Sequence, residues 1–168
     1  ICSGLVGSEM CIRDRLSSNS SLSVGSVWNP HKGHGMRNNI SYRYNNSSSS
    51  MNKLFNADYR YFRGKGEEID LSGVYSFNTQ FSIIGKYNYS FSNSRRSVED
   101  LIDTMIGIEY DSCCYSLKIV ARDYWTGVKK DNALFFEFLP KGLTTTNNKT
   151  SALLRRGISG YEDRTDYE

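Results

Sequence analysis

The chain has 168 residues, of which 38% are hydrophobic and 13% aromatic, and its formal net charge is +3. This length fits one domain or a piece of a larger one. The longest apolar run, within ALFFEFL, is about four residues, whereas a membrane-spanning helix needs about 18. A helical membrane protein is therefore excluded. A membrane β-barrel is not, because barrel strands hide their apolar residues by alternation.

The first fifteen residues, ICSGLVGSEMCIRDR, do not match the rest of the chain. They carry Cys2 and Cys11 and show no hydrophobic period. They lack the basic start and long apolar centre of a signal peptide. The string resembles a translated adaptor sequence, so we interpret residues 1–15 as a non-native segment and leave them out of the fold prediction.

Alternation of apolar and polar residues begins near residue 19 and indicates β-strands. In FSIIGKYNYSF, for example, Ile83 and Tyr87 alternate with Ser82, Lys86 and Asn88. Eight such strands are predicted, at residues 19–28, 36–44, 52–63, 68–77, 80–92, 101–110, 114–124 and 132–140.

Strand length and the placement of aromatic residues favour a transmembrane barrel. Many runs last nine to twelve residues, which exceeds the ~5–6 typical of soluble strands and matches the ~9–11 of a transmembrane strand. Tyrosines and phenylalanines lie near the strand ends, as in an aromatic girdle. The fold class predicted for residues 16–140 is therefore all-β, an antiparallel up-and-down meander that forms a segment of an outer-membrane β-barrel. The polar face would line the lumen, and its candidate lumen-facing basic residues are Arg37, Arg43, Arg60, Lys86, Lys118 and Arg122.

Connection lengths predict which end of the barrel faces the periplasm. Short turns at residues 78–79 and 111–113 alternate with the longer NSRRSVED and WTGVKKD. Outer-membrane barrels have short periplasmic turns and longer external loops, so residues 111–113 should lie at the periplasmic rim. Residues 141–168 are then a periplasmic C-terminal tail. The connection NNSSSSM at residues 45–51 is longer than this rule expects on its side.

The stretch YDSCCYS contains two adjacent cysteines, Cys113 and Cys114. Adjacent residues of an extended chain point to opposite sides, so a bridge between the two is not expected. Two interpretations stay open: buried small hydrophobic residues, or disulfides to distant cysteines in an oxidising compartment. With Cys2 and Cys11 set aside, such partners would lie on missing chain or on another molecule.

Other motifs do not predict catalysis or a metal site. His31 and His34 in PHKGHG have no third ligand nearby, and known sites need three or four. The acidic residues at 67, 68 and 70 follow GKG and are typical of a hairpin tip. No phosphate loop and no Ser-His-Asp constellation is visible, so we expect no enzyme, no cofactor and no nucleic-acid partner.

Five blocks in the second half resemble a known family. The stretch GIEYDSCCYSLKIVARDYWTGVKKDNALFFEFLPKGL, followed by LLRRGISGY, resembles the C-terminal end of LptD, the lipopolysaccharide-assembly family of outer-membrane proteins. The resemblance is strong over residues 107–161 and weaker from about residue 16. It departs at Ser159, where the family often has Pro, and at Pro140, which interrupts the strand exit.

The resemblance implies a function and partners. Family members form a very large barrel behind a periplasmic jellyroll domain, and an LptE-type lipoprotein plugs the lumen. They receive lipopolysaccharide from a periplasmic transport bridge and insert it into the outer leaflet of the Gram-negative cell outer membrane, so outer-membrane lipid is a further partner.

The resemblance also implies roles for particular residues. Cys113 and Cys114 would each form a disulfide with a cysteine far upstream, and the basic lumen residues would contact phosphates or the plug. The last strand would form one lip of a lateral seam that opens to lipid. Its residues are Asn132, Ala133, Leu134, Phe135, Phe136, Glu137, Phe138 and Leu139.

Three alternatives have distinct signatures. A generic porin or transporter barrel usually ends at a strand with a terminal aromatic residue, whereas this chain continues past Leu139. A soluble β-sandwich binding module also alternates, but it would express without detergent. An outer-membrane enzyme would need a catalytic constellation.

Overall fold

The computed structural model describes residues 8–29, 34–48, 51–64, 66–91, 101–126, 129–141 and 149–162. These residues form nine strands and one helix, which follow one another along the chain. The strands are β1 (Ser8–Ser17), β2 (Ser20–Asn29), β3 (His34–Ser48), β4 (Met51–Phe62), β5 (Gly66–Ser76), β6 (Phe81–Phe91), β7 (Leu101–Asp111), β8 (Tyr115–Trp125) and β9 (Lys130–Pro140), and the helix is α1 (Lys149–Gly157).

All nine strands belong to one sheet whose spatial order is the order of the sequence, β1 to β9. Every neighbouring pair is antiparallel. This arrangement confirms the predicted up-and-down meander. Sequential antiparallel pairing needs only short connections, which is why turns can join most of the strands.

The sheet contains one strand more than the eight predicted. Strand β1 begins at Ser8, inside the segment that was left out of the fold prediction, and it pairs with β2 from Ser8↔Trp28 to Asp14↔Leu22. Its side chains are exposed from residue 10 to residue 17. Backbone pairing depends little on which side chains are present, so the absence of a hydrophobic period did not exclude a strand here.

Residues 45–51 are not a long loop. Strands β3 and β4 continue into this stretch, and their register runs to Asn45↔Leu54 and Ser48↔Met51. Only two residues separate the two strands. The connection is therefore as short as the others at the same edge of the sheet, which removes the one conflict with the predicted alternation of short and long connections.

The predicted turn at Asn78 and Thr79 has a defined cause. The Asn78 side-chain oxygen accepts hydrogen bonds from the backbone N–H groups of Gln80, at 2.8 Å, and Phe81, at 2.6 Å. Asparagine favours turns because its side chain satisfies backbone groups two or three residues ahead. This turn brings β6 back beside β5 from Ser76↔Ser82 onward.

The two faces of the sheet differ in an unusual way. One face carries large apolar side chains that stay exposed, among them Ile106 at 63% and Phe136 at 66%. The strand registers put Lys86, Lys118 and Arg122 on the other face. On the apolar side they put five residues of β6, β7 and β8: Ile83, Tyr87, Ile106, Leu117 and Ile119. We call this surface the apolar face and the opposite one the polar face.

Aromatic side chains form rows at both ends of the apolar face. At the end with the Asn78 turn, neighbouring rings lie 4.6 to 5.8 Å apart between centroids, and the row contains Phe81, Tyr110, Tyr115 and Phe138. At the other end, along β6, the ring of Tyr87 stacks on that of Tyr89, and the rings of Tyr89 and Phe91 meet edge to face. The ten residue steps from Phe81 to Phe91 span about 33 Å along the strand. A strand tilted by about 40° would therefore hold the outermost rings, Phe81 and Phe91, about 25 Å apart along the membrane normal, the height of the apolar band of a barrel.

Helix α1 covers part of the polar face, where the sequence predicted only a tail. Leu154, Ile158 and Tyr161 are buried there together with residues from five strands. The strand residues in this cluster are Leu54, Val74, Ile84, Met105 and Val120. The buried core of the chain therefore lies between the helix and the polar face, and the apolar face remains uncovered.

These properties define the fold class. A soluble sheet covers its more apolar side, and contiguous exposed apolar surface marks an interface with a partner or with lipid. Long strands, an exposed apolar band and aromatic rows at both ends are typical of a transmembrane barrel. The chain has the fold of a segment of an outer-membrane β-barrel. Within the described residues, no helix has both the length and the hydropathy to cross a membrane.

The first prediction tests the apolar face. In the full-length protein, Ile106→Arg should reduce the free energy of folding into lipid by about 2–4 kcal/mol, because Ile106 lies at the middle of β7 and would put a charge near the bilayer midplane. The measurement is urea-dependent folding into lipid vesicles.

The control is Ser41→Arg, at the middle of β3 on the polar face, where Ser41 pairs with Asp58. Its cost should be much smaller because the new charge lies beside a carboxylate in a polar environment. Equal costs for the two changes would refute the assignment of the faces.

Candidate functional site: the polar face beneath α1 and the Cys113–Cys114 turn

A buried charge cluster lies on the polar face near its β9 edge. Lys118 of β8 is 1% exposed, and its ammonium group lies 3.6 Å from a carboxylate oxygen of Glu109 and 3.7 Å from one of Glu137. Register explains the grouping, because Lys118 pairs with Glu109 of β7 on one side and with Glu137 of β9 on the other. Such a buried cation is tolerated only when it is paired and hydrogen-bonded.

The same cluster holds the beginning of α1. Glu137 accepts hydrogen bonds from the backbone N–H groups of Thr150, at 3.2 Å, and Ser151, at 3.4 Å. The Ser151 hydroxyl donates to Glu137 at 2.9 Å and accepts from Lys118 at 2.9 Å. The first N–H groups of a helix have no partner within the helix, and a carboxylate there also interacts favourably with the helix dipole. One carboxylate on β9 thus fixes the N-terminus of α1 to the sheet.

The far end of the helical segment is fixed to a different strand. The Asn56 side chain of β4 donates a hydrogen bond to the backbone oxygen of Ser159 at 2.9 Å. Ile158 and Leu154 are fully buried against the sheet. Because Glu137 and Asn56 lie five strands apart, the C-terminal segment crosses the polar face from β9 to β4.

A second charge cluster lies beside the first. The Asp103 carboxylate is shared by Lys86, at 3.2 Å, and Arg122, which donates from Nε at 2.8 Å. The three residues come from β7, β6 and β8, which are neighbours in the sheet. Two cations for one carboxylate leave a local excess of positive charge.

All six residues predicted to face the lumen lie on the polar face. Three of them, Arg43, Lys86 and Arg122, lie in one row across the sheet. In this row each residue pairs with the next on the neighbouring strand, in the order Arg43, Asn56, Ser72, Lys86, Met105 and Arg122. Arg37 and Arg60 share this face, Arg37 over the ring of Phe62 and Arg60 at 4.0 Å from Glu68. Lys118 is buried beneath α1, whereas Arg37, Arg43 and Arg60 are exposed.

Strand β9 lies at the end of the described sheet. It pairs with β8 from Trp125↔Lys130 to Tyr115↔Pro140. Leu134, Phe136 and Phe138 point to the apolar face and are more than half exposed. Pro140 is the last residue of the strand, a position where the missing N–H of proline is tolerated.

The two cysteines occupy a turn and not an extended strand. The backbone N–H of Ser112 donates to the oxygen of Tyr115 at 2.9 Å, and Lys141 donates to the oxygen of Cys114 at 2.8 Å. Both thiols are exposed, and their sulfur atoms lie 3.0 Å apart. The expectation that the two side chains point to opposite sides is wrong, because the turn brings both to one side. Two exposed sulfurs are accessible to other cysteines.

The two thiols differ in acidity. The pKa of Cys113 is lowered because its sulfur accepts hydrogen bonds from the Cys114 thiol and, at 3.9 Å, from the Ser112 hydroxyl. The pKa of Cys114 is raised because it donates that hydrogen bond and because a thiolate at Cys113 repels a second negative charge. Cys113 is therefore the better nucleophile of the two.

Sequence reasoning placed the six basic residues on the polar face but did not pair Lys118 with Glu109 and Glu137. Counting every second residue along β7, β8 and β9 puts these two glutamates on the same face as Lys118, so the sequence did contain a signal for them. Ser151 and the rest of α1 gave no such signal, because their role depends on how the chain folds back after β9. Among the described residues, no group of three metal-ligating side chains occurs. His31 lies outside those residues.

Comparison of the sequence with known proteins shows the family of the chain. No family model matches the chain. The LPS-assembly protein LptD of Xylella fastidiosa is 31% identical over 89% of the chain and 18% of the relative. LptD of Nitrosococcus oceani is 32% identical over 64% of the chain and 14% of the relative. LptD of Pseudomonas aeruginosa is 28% identical over 83% of the chain and 17% of the relative.

The fold and polar face define a segment of an outer-membrane barrel. The matches define the family more narrowly: the chain belongs to the LptD family and represents a fragment of such a protein. It spans about one sixth of the length of its X. fastidiosa and P. aeruginosa relatives.

The second prediction concerns the buried cluster. Lys118→Met should release α1 from the sheet, because Glu109 and Glu137 would remain buried without their cation. Removing one partner of a buried ion pair costs about 3–5 kcal/mol. We expect faster amide hydrogen exchange over residues 149–158 of the full-length protein. The matched control is Lys129→Met, whose side chain is 72% exposed, and it should leave exchange in α1 unchanged. Unchanged exchange in both variants would contradict the proposed anchoring.

The third prediction concerns the thiols. In the reduced full-length protein at about pH 8, Cys113 should react with iodoacetamide at least about twofold faster than Cys114, because more of it is ionised. Peptide mass mapping measures the two rates. Cys114→Ser keeps a hydroxyl donor and should preserve the reactivity of Cys113 better than Cys114→Ala. Faster labelling of Cys114 would contradict the assigned hydrogen-bond direction.

Proposed function

We propose that the protein containing this chain assembles lipopolysaccharide in the outer membrane of a Gram-negative bacterium. The relatives are LPS-assembly proteins, which supports this proposal. The single observation that carries it within the chain is the combination of an exposed apolar face with a strongly charged polar face on one meander. Lipopolysaccharide is itself amphiphilic, with an anionic head and apolar tails.

The polar face supplies groups suited to the anionic head. We propose that it lines the lumen and that its basic side chains contact phosphates or the plug protein, since cations bind phosphate oxygens through short charge-assisted hydrogen bonds. The three exposed arginines Arg37, Arg43 and Arg60 are free of the helix and accessible from the solvent side. The buried Lys118 has a different role in this scheme, because it fixes α1.

Strand β9 is proposed as one lip of a lateral seam. Its Leu134, Phe136 and Phe138 would contact lipid, while Glu137 on the same strand holds α1 on the lumen side. A seam lip needs such a support, because an edge strand has unpaired backbone groups on one side. Partners in this proposal are an LptE-type lipoprotein plug and a periplasmic transport bridge that delivers lipopolysaccharide.

The lengths of the connections between strands suggest how the sheet is oriented in the membrane. We propose that the edge with short connections, including residues 112–114, faces the periplasm. Lys141, the residue that follows β9, lies at this edge, where its backbone N–H donates to the oxygen of Cys114. The tail would begin in the periplasm and fold back, so that α1 lies against the lumen side of the sheet.

The cysteine turn is proposed as a double anchor. Cys113 and Cys114 would form disulfides with two different upstream cysteines, in an oxidising compartment where such bonds persist. Exposure of both thiols supports this assignment. Two adjacent anchors would hold a periplasmic delivery domain against the barrel rim with little freedom to rotate.

A generic porin or transporter barrel is the second candidate. An antiparallel meander with two such faces would fit it equally well. Against it, α1 and Tyr161 cover the polar face over five strands. A passive open channel also has no need of two adjacent exposed cysteines at its rim.

The fourth prediction tests this function in cells that depend on the full-length protein. Cys113→Ser or Cys114→Ser alone should retain most delivery of lipopolysaccharide to the outer leaflet, because one anchor preserves partial alignment. The double change should reduce delivery severely although the barrel still forms. Surface lipopolysaccharide is measured together with non-reducing mass mapping of the wild-type protein.

The control is Ser112→Ala, a change in the same turn that removes no thiol, and it should deliver lipopolysaccharide normally. Two free thiols in an active wild-type protein, or a bridge between Cys113 and Cys114, would defeat the anchor. Normal delivery in cells that lack the protein would defeat the function itself.

A further inference from the structure

A cavity of about 540 Å³ lies between α1 and strands β6, β7 and β8. Its lining includes none of the three charged residues of the Lys118 cluster, Glu109, Lys118 and Glu137. Six of its lining residues matter here: Lys86, Met105, Arg122, Lys149, Leu153 and Arg156. Four of these six are cations, contributed by two strands and by the helix.

The charges in this cavity are not balanced. Asp103 pairs with both Lys86 and Arg122, so these two cations share one carboxylate. No acidic side chain among the described residues lies within ion-pair distance of Lys149 or Arg156. Asp70 also interacts electrostatically with Lys86. Four cations against two carboxylates leave an excess of two positive charges around one cavity, and like charges in proximity destabilise a fold unless an anion joins them.

The cations lie on opposite walls of the cavity, and an ion pair restrains those on the sheet wall. Asp103 restrains Lys86 and Arg122, whose side chains are only 13% and 29% exposed. Lys149 and Arg156 are seven residues apart on α1, so they lie on one face of the helix about 10.5 Å apart along its axis. Leu153 lies between them on the same face and, with Met105 opposite, provides an apolar wall.

We propose that this cavity binds the phosphate esters of a phosphorylated saccharide headgroup. Two phosphates several ångströms apart would match the cations at the two ends of the helix face, and the apolar wall would contact the sugar ring between them. The choice of a lipid headgroup as the source rests on the proposed function, whereas the phosphate-binding chemistry does not.

The experiment uses the full-length protein, purified in detergent with its co-purifying subunits. Three lipid-free probes are titrated by calorimetry: a glucosamine disaccharide bisphosphate, the same disaccharide without phosphate, and inorganic phosphate. We expect the bisphosphate to bind more tightly than inorganic phosphate and the unphosphorylated sugar not to bind. Binding should weaken as salt is raised, because screening reduces the attraction between charges.

The test variant is K149Q/R156Q, which should weaken bisphosphate binding about tenfold or more, equivalent to about 1.4 kcal/mol. The matched control K129Q/R155Q removes the same charge, including the neighbouring helix arginine that does not line the cavity, and should change binding less than about twofold. The exchange variant K149R/R156K keeps the charges and should restore binding.

Equal affinity in K149Q/R156Q and its control would overturn the site. Binding of the unphosphorylated sugar with the same affinity would overturn phosphate recognition. If inorganic phosphate binds as tightly as the bisphosphate, the headgroup is not the ligand. The same holds if these cations bind an acidic polypeptide and the bisphosphate does not bind.

The two proposals fail separately. If cells carrying the intact protein deliver lipopolysaccharide and K149Q/R156Q binds the bisphosphate like wild type, only the cavity assignment fails. If the bisphosphate binds through Lys149 and Arg156 while cells without the protein assemble lipopolysaccharide normally, the proposed function fails and the cavity stands as a phosphate-ester site.

Discussion

Successive side chains of a β-strand point to opposite faces, and the rest of this structure depends on that constraint. A nine-stranded meander has no second sheet, so each face must meet its own environment. The apolar face keeps its large side chains exposed, with Ile106 at 63% and Leu134 at 74%. The polar face obtains its own covering from the same chain, because the C-terminal segment folds back over it. A lipid environment on one side and water with α1 on the other satisfy both faces at once.

The buried lysine connects these two parts of the structure. Lys118 cannot be buried on the polar face without anions, and register supplies Glu109 and Glu137 from the two neighbouring strands. Glu137 in turn accepts the backbone N–H groups of Thr150 and Ser151. The strand proposed as a seam lip and the helix proposed to lie in the lumen are therefore linked by one carboxylate. Movement of β9 and release of α1 should be coupled, which makes the helix a natural support for that strand.

The sequence allowed the meander, the strand faces and the aromatic rows to be predicted, because all three follow from a period of two and from end-placed rings. It did not reveal α1. The stretch KTSALLRRG has few apolar residues, and its helix is stabilised by tertiary contacts of Leu154 and by Glu137, which are far apart in sequence. Cys113 and Cys114 were identified from sequence, but their common orientation was not, because a turn and a strand end look alike over three residues. Strand β1 escaped prediction for a related reason: its pairing relies on backbone hydrogen bonds, and its side chains carry no pattern.

The central claim is that one face of this sheet contacts lipid and the other does not. The most direct measurement is carbene footprinting of the full-length protein in a bilayer, with a diazirine carried on a lipid chain and residue-level mass mapping of β7 and β8. The account predicts labelling of Ile106, Ile108 and Ile119, and none at Met105 and Val120, which alternate with them along the same strands. Equal labelling of the two sets, or labelling confined to Met105 and Val120, would contradict it.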